Sequence, residues 1–532
     1  MNSRISFNTI MKLINIIFLI VIENFVLDCA MGIFGVSLLV YYVFYTIFFS
    51  SLQTGIAKMV SIRNSKGING NAKKIVKPAL FYVIITGLLI LAFSVFVLGS
   101  FAGKLLGMVY PVPVIQLLCV VLILTGIADV LCGYLNGNGN ALTGNIINLL
   151  KCVLPVVFSL VVVRGFAGYG SKVSDLLKNT IAKDSYAAMG IAVVYLTVSV
   201  IVLLITIIFT IKSRIKSDSE KSVGGIDGRK SIAGGFISVN GRLMLHNLFL
   251  VLALFAAVLF YINGAGKAGI AMADVYTNIG IIFTKLILPF LLVFTIFQEY
   301  LNRERHRLHI DYRKDEIKIC AIRSQYMIKN SFFMLIPPAM ILSFLASPIA
   351  KVIYTGQDSL SANYLQTGGV ILFLAGCAYA LNTILRAFDK EVMVWAVQAL
   401  ALLVQIIFLF IAFSGNKGDS MIILYSFYVY FIIQIAAYIA VALKVVRFDI
   451  MDILMKLGKY GVAGIVMMIL FMILDKFIVM NIFLLFLSIF FGYLLYYLTL
   501  IALHGISKKD EAALKRTLNY YPVHFLRSRL RL

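Results

Sequence analysis

From the N-terminus to His504, stretches of about 20 apolar residues follow one another, each closed by a charged, Gly-rich or Asn-rich break. A soluble core has no use for so many such runs, because each would need a second layer to cover it. A bilayer with a hydrocarbon core of about 30 Å accommodates each of them as one helix. Fourteen spans are expected, at 8–30, 34–60, 77–99, 112–135, 141–163, 188–211, 234–261, 272–299, 328–353, 366–386, 393–413, 421–445, 457–477 and 481–504. Composition agrees: 61% of residues are apolar and 13% charged, against roughly 45–50% and about 25% in soluble proteins. The first run, Ile10 to Leu27, is too long for a signal-peptide core and no small-residue cleavage site follows it, so it reads as a membrane helix.

Charge supplies a check on the count. Most of the 47 Lys and Arg fall in the loops after even-numbered spans and in the C-terminal tail, while the loops after odd-numbered spans are poor in them. Basic residues mark the cytoplasmic side, so both termini are expected inside. A missed or extra span would invert the alternation downstream, and no inversion occurs. The net charge of +24 therefore reports topology rather than nucleic-acid binding. The exception is the outward segment from Arg164 to Lys183, with four basic residues, which is expected to form a short helix lying on the outer interface.

The polar stretch Lys212 to Lys230 separates six spans from six more. Six is even, so both halves enter the membrane in the same direction. Each half has a basic loop after its second span and a tight turn after its fourth. The chain thus reads as an all-α polytopic membrane protein, with both termini cytoplasmic and two six-helix halves as a parallel pseudo-repeat. The expected divisions are 1–211 and 234–446 for the halves, 212–233 for a linker, 447–504 for two extra C-terminal helices, and 505–532 for a basic amphipathic tail suited to an anionic lipid surface.

No catalytic constellation is visible, neither a phosphate-binding P-loop nor H-E-x-x-H nor G-x-S-x-G, so neither an enzyme nor a cofactor is called for. The six cysteines are scattered and read as free thiols, with no metal-ligand spacing. The run from Gly133 to Asn140 follows no strand and reads as a tight turn rather than a dinucleotide loop.

The informative residues are ionisable groups inside apolar spans. Each costs about 2.5–3.5 kcal/mol at mid-membrane unless it faces protein or water. In the eighth span Asp274, Asn278 and Lys285 fall on one stripe, which makes Lys285 the first candidate; the competing reading is that it pairs with an acid such as Glu23 only to lock helices together. In the seventh, Ser238, Arg242 and His246 share a face that suits a phosphate, or Arg242 snorkels to the headgroups. The fifth carries Asn145, Asn148 and Lys151 on a broad polar face. Glu23, beside Asn24, offers a carboxylate for proton coupling or for neutralising a lysine. Arg386 reads as an interface anchor, and the tyrosines at 41, 42 and 45 as an interfacial aromatic belt or the lining of a lipid portal.

Three stretches, Tyr42 to Lys74, Gly133 to Lys151 and Lys285 to Arg305, together with the fourteen-span pattern, resemble the polysaccharide-biosynthesis branch of the multidrug/oligosaccharidyl-lipid/polysaccharide exporter superfamily, in particular its stage V sporulation protein B-like and lipid II flippase-like members. The position held by Lys151 departs from that pattern, which is usually acidic there. The resemblance implies a flippase of the bacterial cytoplasmic membrane. It would move a polyprenyl-pyrophosphate oligosaccharide or cell-wall precursor by alternating access between the two halves. Lys285, Arg242, Lys151 and His246 would then form a cationic cavity with Asn145, Asn148 and Asn278, and Glu23 or Asp274 would couple transport to a counter-ion, H+ or Na+. The partners implied are the lipid-linked sugar, membrane lipids and that ion, with no nucleic acid. A cation-coupled multidrug exporter of the same superfamily and a non-transporting scaffold for envelope polysaccharide synthesis remain as alternatives.

Overall fold

A computed structural model describes residues 7–23, 26–65, 74–102, 107–217, 229–354, 359–415, 418–446, 448–477 and 481–505. Among them there is no strand, and the helices follow the apolar runs. They are α1 (Phe7–Glu23), α2 (Asp28–Phe48), α3 (Leu52–Ser65), α4 (Val76–Phe93, continued by a π-helical turn Ser94–Ala102), α5 (Val112–Gly137), α6 (Ala141–Leu177), α7 (Ile181–Ser217), α8 (Arg229–Lys267) and α9 (Met272–Ile281). A π-helical segment, Ile282–Leu286, joins α9 to α10 (Ile287–Arg313). The remainder are α11 (Ile317–Phe344), α12 (Ala346–Val352), α13 (Ser359–Ala387), α14 (Glu391–Phe413), α15 (Met421–Val445), α16 (Ile450–Phe477) and α17 (Ile482–Ala502). Thirteen of the described helices are long and apolar enough to cross a membrane; the fourteenth expected span is the shorter α1, with 17 residues.

Several boundaries move, for local reasons. The break between the first two spans comes early, so Asp28 opens α2, where a carboxylate complements the helix N-terminus. The expected interfacial helix between Arg164 and Lys183 does not exist as a separate element. Residues up to Leu177 continue α6, Lys178 turns the chain with φ 50°, and α7 begins at Ile181. Tyr169 stacks edge-on against Tyr186 across this extended hairpin. Likewise the basic loop after the eighth span is mostly helix: α10 runs on to Arg313 and α11 starts at Ile317, with Asp315 at φ 60° between them. The turn expected at 133–140 is shorter: α5 runs through Gly137, and the chain turns over 138–140, with Gly139 at φ 85°.

The helices form two compact units, one of Val21–Phe283 with Phe410–Ser420 and one of Met1–Ile20, Thr284–Leu409 and Met421–Leu532. This partition differs from chain order, since α8 and α9 pack with α2–α7. In the first unit α2 and α9 meet backbone to backbone: a Cβ on Gly32 would lie 1.8 Å from the Tyr276 carbonyl oxygen, and one on Gly280 would lie 1.9 Å from that of Asp28. Cys132, Leu135, Ile147, Val194, Val198 and Val202 build an apolar core between α5, α6 and α7. In the second unit Phe333 of α11 packs on Tyr460 of α16 and on Tyr496 and Tyr497 of α17. Lys329 and Gln325 of α11 both reach Asp452 of α16, so the two C-terminal helices are held by polar as well as aromatic contacts. Of the expected linker, 212–217 continue α7 and 229–233 open α8, while 218–228 and the tail from 506 lie outside the described residues.

Candidate functional site

In the first unit the structure gathers a polar cluster around Asp129 on α5, a carboxylate inside an otherwise apolar helix and only 5% exposed. Lys151, from the neighbouring α6, places Nζ 2.5 Å from Asp129 Oδ1. The Tyr45 hydroxyl of α2 donates to Asp129 Oδ2 at 3.2 Å. One turn earlier on each of those helices, the hydroxyls of Tyr41 and Thr125 lie 3.3 Å apart. The Tyr41 and Tyr45 rings stack at 5.6–5.9 Å centroid spacing with each other and with Tyr42 edge-on to Tyr41. Three helices therefore converge on one ion pair.

The electrostatics of the cluster are those of a neutralised cation. An isolated ammonium within an apolar helix is costly, and a carboxylate at ion-pair distance that also accepts a hydroxyl hydrogen bond removes most of that cost. The Lys151 side chain keeps 20% exposure against 7% for Asp129, so the carboxylate is the more buried partner. Asn148 and Asn145, one and two turns back along α6, are half-buried on the same helix. The ammonium and both phenols are thus engaged within the helix packing, Lys151 and Tyr45 with Asp129 and Tyr41 with Thr125.

Other expected site residues fall elsewhere. Lys285 is 5% exposed and sits inside the π-helical segment, next to the Phe283–Thr284 boundary where the chain passes from one unit to the other. A π turn widens the helix and displaces the 3.6-residue register, so the straight stripe from Asp274 to Lys285 is broken there. Asn278 donates from Nδ2 to the Tyr261 hydroxyl at 2.9 Å, within the first unit. Asp274 is exposed in the first turn of α9, a position that favours an acid for helix-terminal reasons alone. Glu23 is the last residue of α1, and Arg242 and His246 lie along α8; the side chains of these three are outside the described residues.

Asp129 was not among the residues singled out by sequence, although it satisfies the rule that selected Lys285, an ionisable group within an apolar span. Its spacing to Lys151 crosses a helix–turn–helix, so no single-helix periodicity connects them. Of the three tyrosines, Tyr41 and Tyr45 direct their hydroxyls to Thr125 and Asp129 across the packing of α2 on α5, while Tyr42 is exposed.

The described residues contain no group of His, Cys, Asp or Glu placed to hold a metal ion, and all six cysteines are free. No family model matches the sequence, and no protein in a curated collection does. Solved structures do match in fold. An inward-facing multidrug resistance MATE family transporter of the MOP superfamily aligns with a TM-score of 0.58 at 14% identity, over 82% of this chain and 93% of its own. The lipid II flippase MurJ, in an inward closed conformation, aligns with a TM-score of 0.55 at 14% identity, over 97% of this chain and 98% of its own. A MOP superfamily transporter from Pyrococcus furiosus, described as having a binding pocket of reversed polarity, gives 0.51 at 15% identity over 82% and 96%. The chain has the fold of these transporters.

Proposed function

We propose that the chain is a multi-pass transporter of the bacterial cytoplasmic membrane that translocates a lipid-linked, polyprenyl-pyrophosphate sugar by alternating access between its six-helix halves, 1–211 and 234–446. The observation that carries this reading is the placement of cations inside apolar helices, with Lys285 at 5% exposure and Lys151 held beside Asp129. An anionic headgroup cannot cross about 30 Å of hydrocarbon unless buried donors replace its water. Extent supports it as well: the likeness to the lipid II flippase spans 97% of the chain, whereas the MATE transporter leaves out nearly a fifth of it. In this reading Lys285, Arg242, Lys151 and His246 attract the pyrophosphate, and Asn145, Asn148 and Asn278 bond to phosphate or sugar. Glu23 or Asp274 couples movement to inward flow of H+ or Na+, which a negative-inside potential favours.

A second reading, a cation-coupled exporter of organic cations, draws on the TM-score of 0.58 to the multidrug transporter and on the buried Asp129. The two separate by photocrosslinking. A photoactivatable polyprenyl-pyrophosphate sugar should label peptides carrying Lys151 and Lys285, and unlabelled lipid-linked sugar should compete while organic cations do not. Labelling displaced by organic cations alone would favour the exporter. Transport indifferent to both membrane potential and ion gradients would remove the coupling role of Glu23 and Asp274.

A further inference from the structure

In the first unit, Tyr41, Tyr42 and Tyr45 of α2 stand level with the middle of α5. The hydroxyls of Tyr41 and Thr125 lie 3.3 Å apart, and Thr125 is at the midpoint of the 26-residue helix Val112–Gly137. About 18–20 Å of helix lies on either side of it. Tyr41 and Tyr45 are fixed there: their rings stack at 5.9 Å and 11°, and Thr125 and Asp129 take up their hydroxyls. Tyr42 stands across both, 5.6 Å from the Tyr41 ring at 79° and 6.5 Å from the Tyr45 ring at 87°. It is 47% exposed, and among the described residues no hydrogen bond holds its hydroxyl.

A hydroxyl facing hydrocarbon at this depth would be left unsatisfied, which is costly. The exposure pattern of the helix argues the same way. A helix lying against lipid shows an apolar stripe on every turn, as α4 does at Phe81, Ile84 and Leu88. No such stripe runs along α2, where Tyr42 is the one exposed residue. The Tyr42 ring therefore meets a polar medium rather than lipid.

Its chemistry restricts what can lie on it. A phosphate is repelled by the negative face of an aromatic ring, and a polyprenyl chain would cover the hydroxyl without pairing it. An organic cation is attracted to the face, but the acid of this cluster, Asp129, is already neutralised by Lys151 at 2.5 Å. A pyranose ring offers C–H groups to the aromatic face and hydroxyls to the phenol. Because Tyr41 and Tyr45 are pinned beside it, Tyr42 loses little further freedom when a ligand arrives.

We infer that Tyr42, backed by Tyr41 and Tyr45, is a stacking platform for a saccharide ring. The inference rests on the reading of the chain as a carrier of lipid-linked sugar, and adds to it a residue that reads the sugar rather than the pyrophosphate.

The test uses the full chain in nanodiscs, with binding followed by native mass spectrometry. The probes are polyprenyl pyrophosphate carrying a hexose or an N-acetylhexosamine disaccharide, the sugar-free polyprenyl pyrophosphate, the free disaccharides, and tetraphenylphosphonium. Tyr42→Ala should weaken a sugar-bearing lipid about five- to tenfold, the worth of one stacked ring, and leave the sugar-free lipid unchanged. Tyr42→Phe, which keeps the ring, should retain most of the binding, and Tyr42→Leu, which keeps only apolar bulk, should not. Sugar-bearing lipid bound equally by the parent protein and Tyr42→Ala would overturn the platform while leaving the transport reading intact. Equal loss of both lipids in Tyr42→Ala, or loss of tetraphenylphosphonium binding with the sugar unaffected, would also overturn it. If the parent protein binds neither lipid, the transport reading falls. Free disaccharide binding that weakens in Tyr42→Ala would then still support the platform, and its absence would end both.

Discussion

Replacing Asp129 with Asn keeps the shape of the cluster and removes its negative charge. Lys151 then faces a neutral amide while 80% of its side chain stays covered, by its 20% exposure. Removing one partner of a buried ion pair costs about 3–5 kcal/mol; with the lysine side chain partly exposed, about 2–4 kcal/mol is expected for Asp129→Asn. Lys151→Met should cost at least as much, because the carboxylate is the more buried partner, at 7% exposure, and would retain only the Tyr45 hydroxyl. The double variant Asp129→Asn/Lys151→Met buries no charge at all, so it should be more stable than either single variant. Reversible unfolding in mixed detergent–SDS micelles, run as a double-mutant cycle, reads this directly. A coupling of about 2 kcal/mol or more is expected, whereas unpaired sites add to within about 0.5 kcal/mol. Additive single effects would show that the pair contributes no stabilising coupling.

Other expectations follow from packing and exposure. Gly32→Ala and Gly280→Ala push apart two backbones in contact, since each new Cβ would sit under 2 Å from a carbonyl oxygen, and should cost about 1–3 kcal/mol; Gly458→Ala meets nothing nearby and should be silent in the same unfolding assay. Asp452→Asn strips the counter-charge from Lys329, whose side chain is 8% exposed, and should lower the thermal midpoint and speed proteolysis between Val446 and Asp449. Cys152 is the one cysteine that is not buried and it adjoins Lys151, so a membrane-impermeant thiol reagent should label it in the folded protein if that face meets water. Cys132, at 0% exposure, serves as the unlabelled control; labelling of neither would place the Lys151 face against lipid.

Architecture was legible because a bilayer imposes one simple demand, about 20 apolar residues per crossing, and because basic residues report the count independently. Where sequence reading failed, the cause was local. The segment after Arg164 looked like a break because of its Gly and Lys, yet α6 passes through it to Leu177. Lys151 was visible as an ionisable residue in an apolar span, but its neutralisation by Asp129 was not, because the pair spans two helices joined by the turn at Gly139. Periodicity assigned Lys285 to a stripe with Asp274 and Asn278, and the π turn at 282–286 alters that register in a way no 3.6-residue rule anticipates. The compact units also depart from chain order, since α8 and α9 pack with the first-half helices through contacts of small residues such as Gly32 and Gly280.

The central claim is tested most directly by translocation of a fluorescent polyprenyl-pyrophosphate sugar in proteoliposomes, followed by quencher accessibility, for the parent protein, Lys285→Ala and Lys151→Ala. Flipping by the parent protein that falls at least about tenfold in both variants, with helical content retained, is the expected result, a loss of about 1.4 kcal/mol or more in barrier terms. No flipping by the parent protein across several sugar headgroups under an imposed ion gradient, or full activity in both lysine variants, would contradict it.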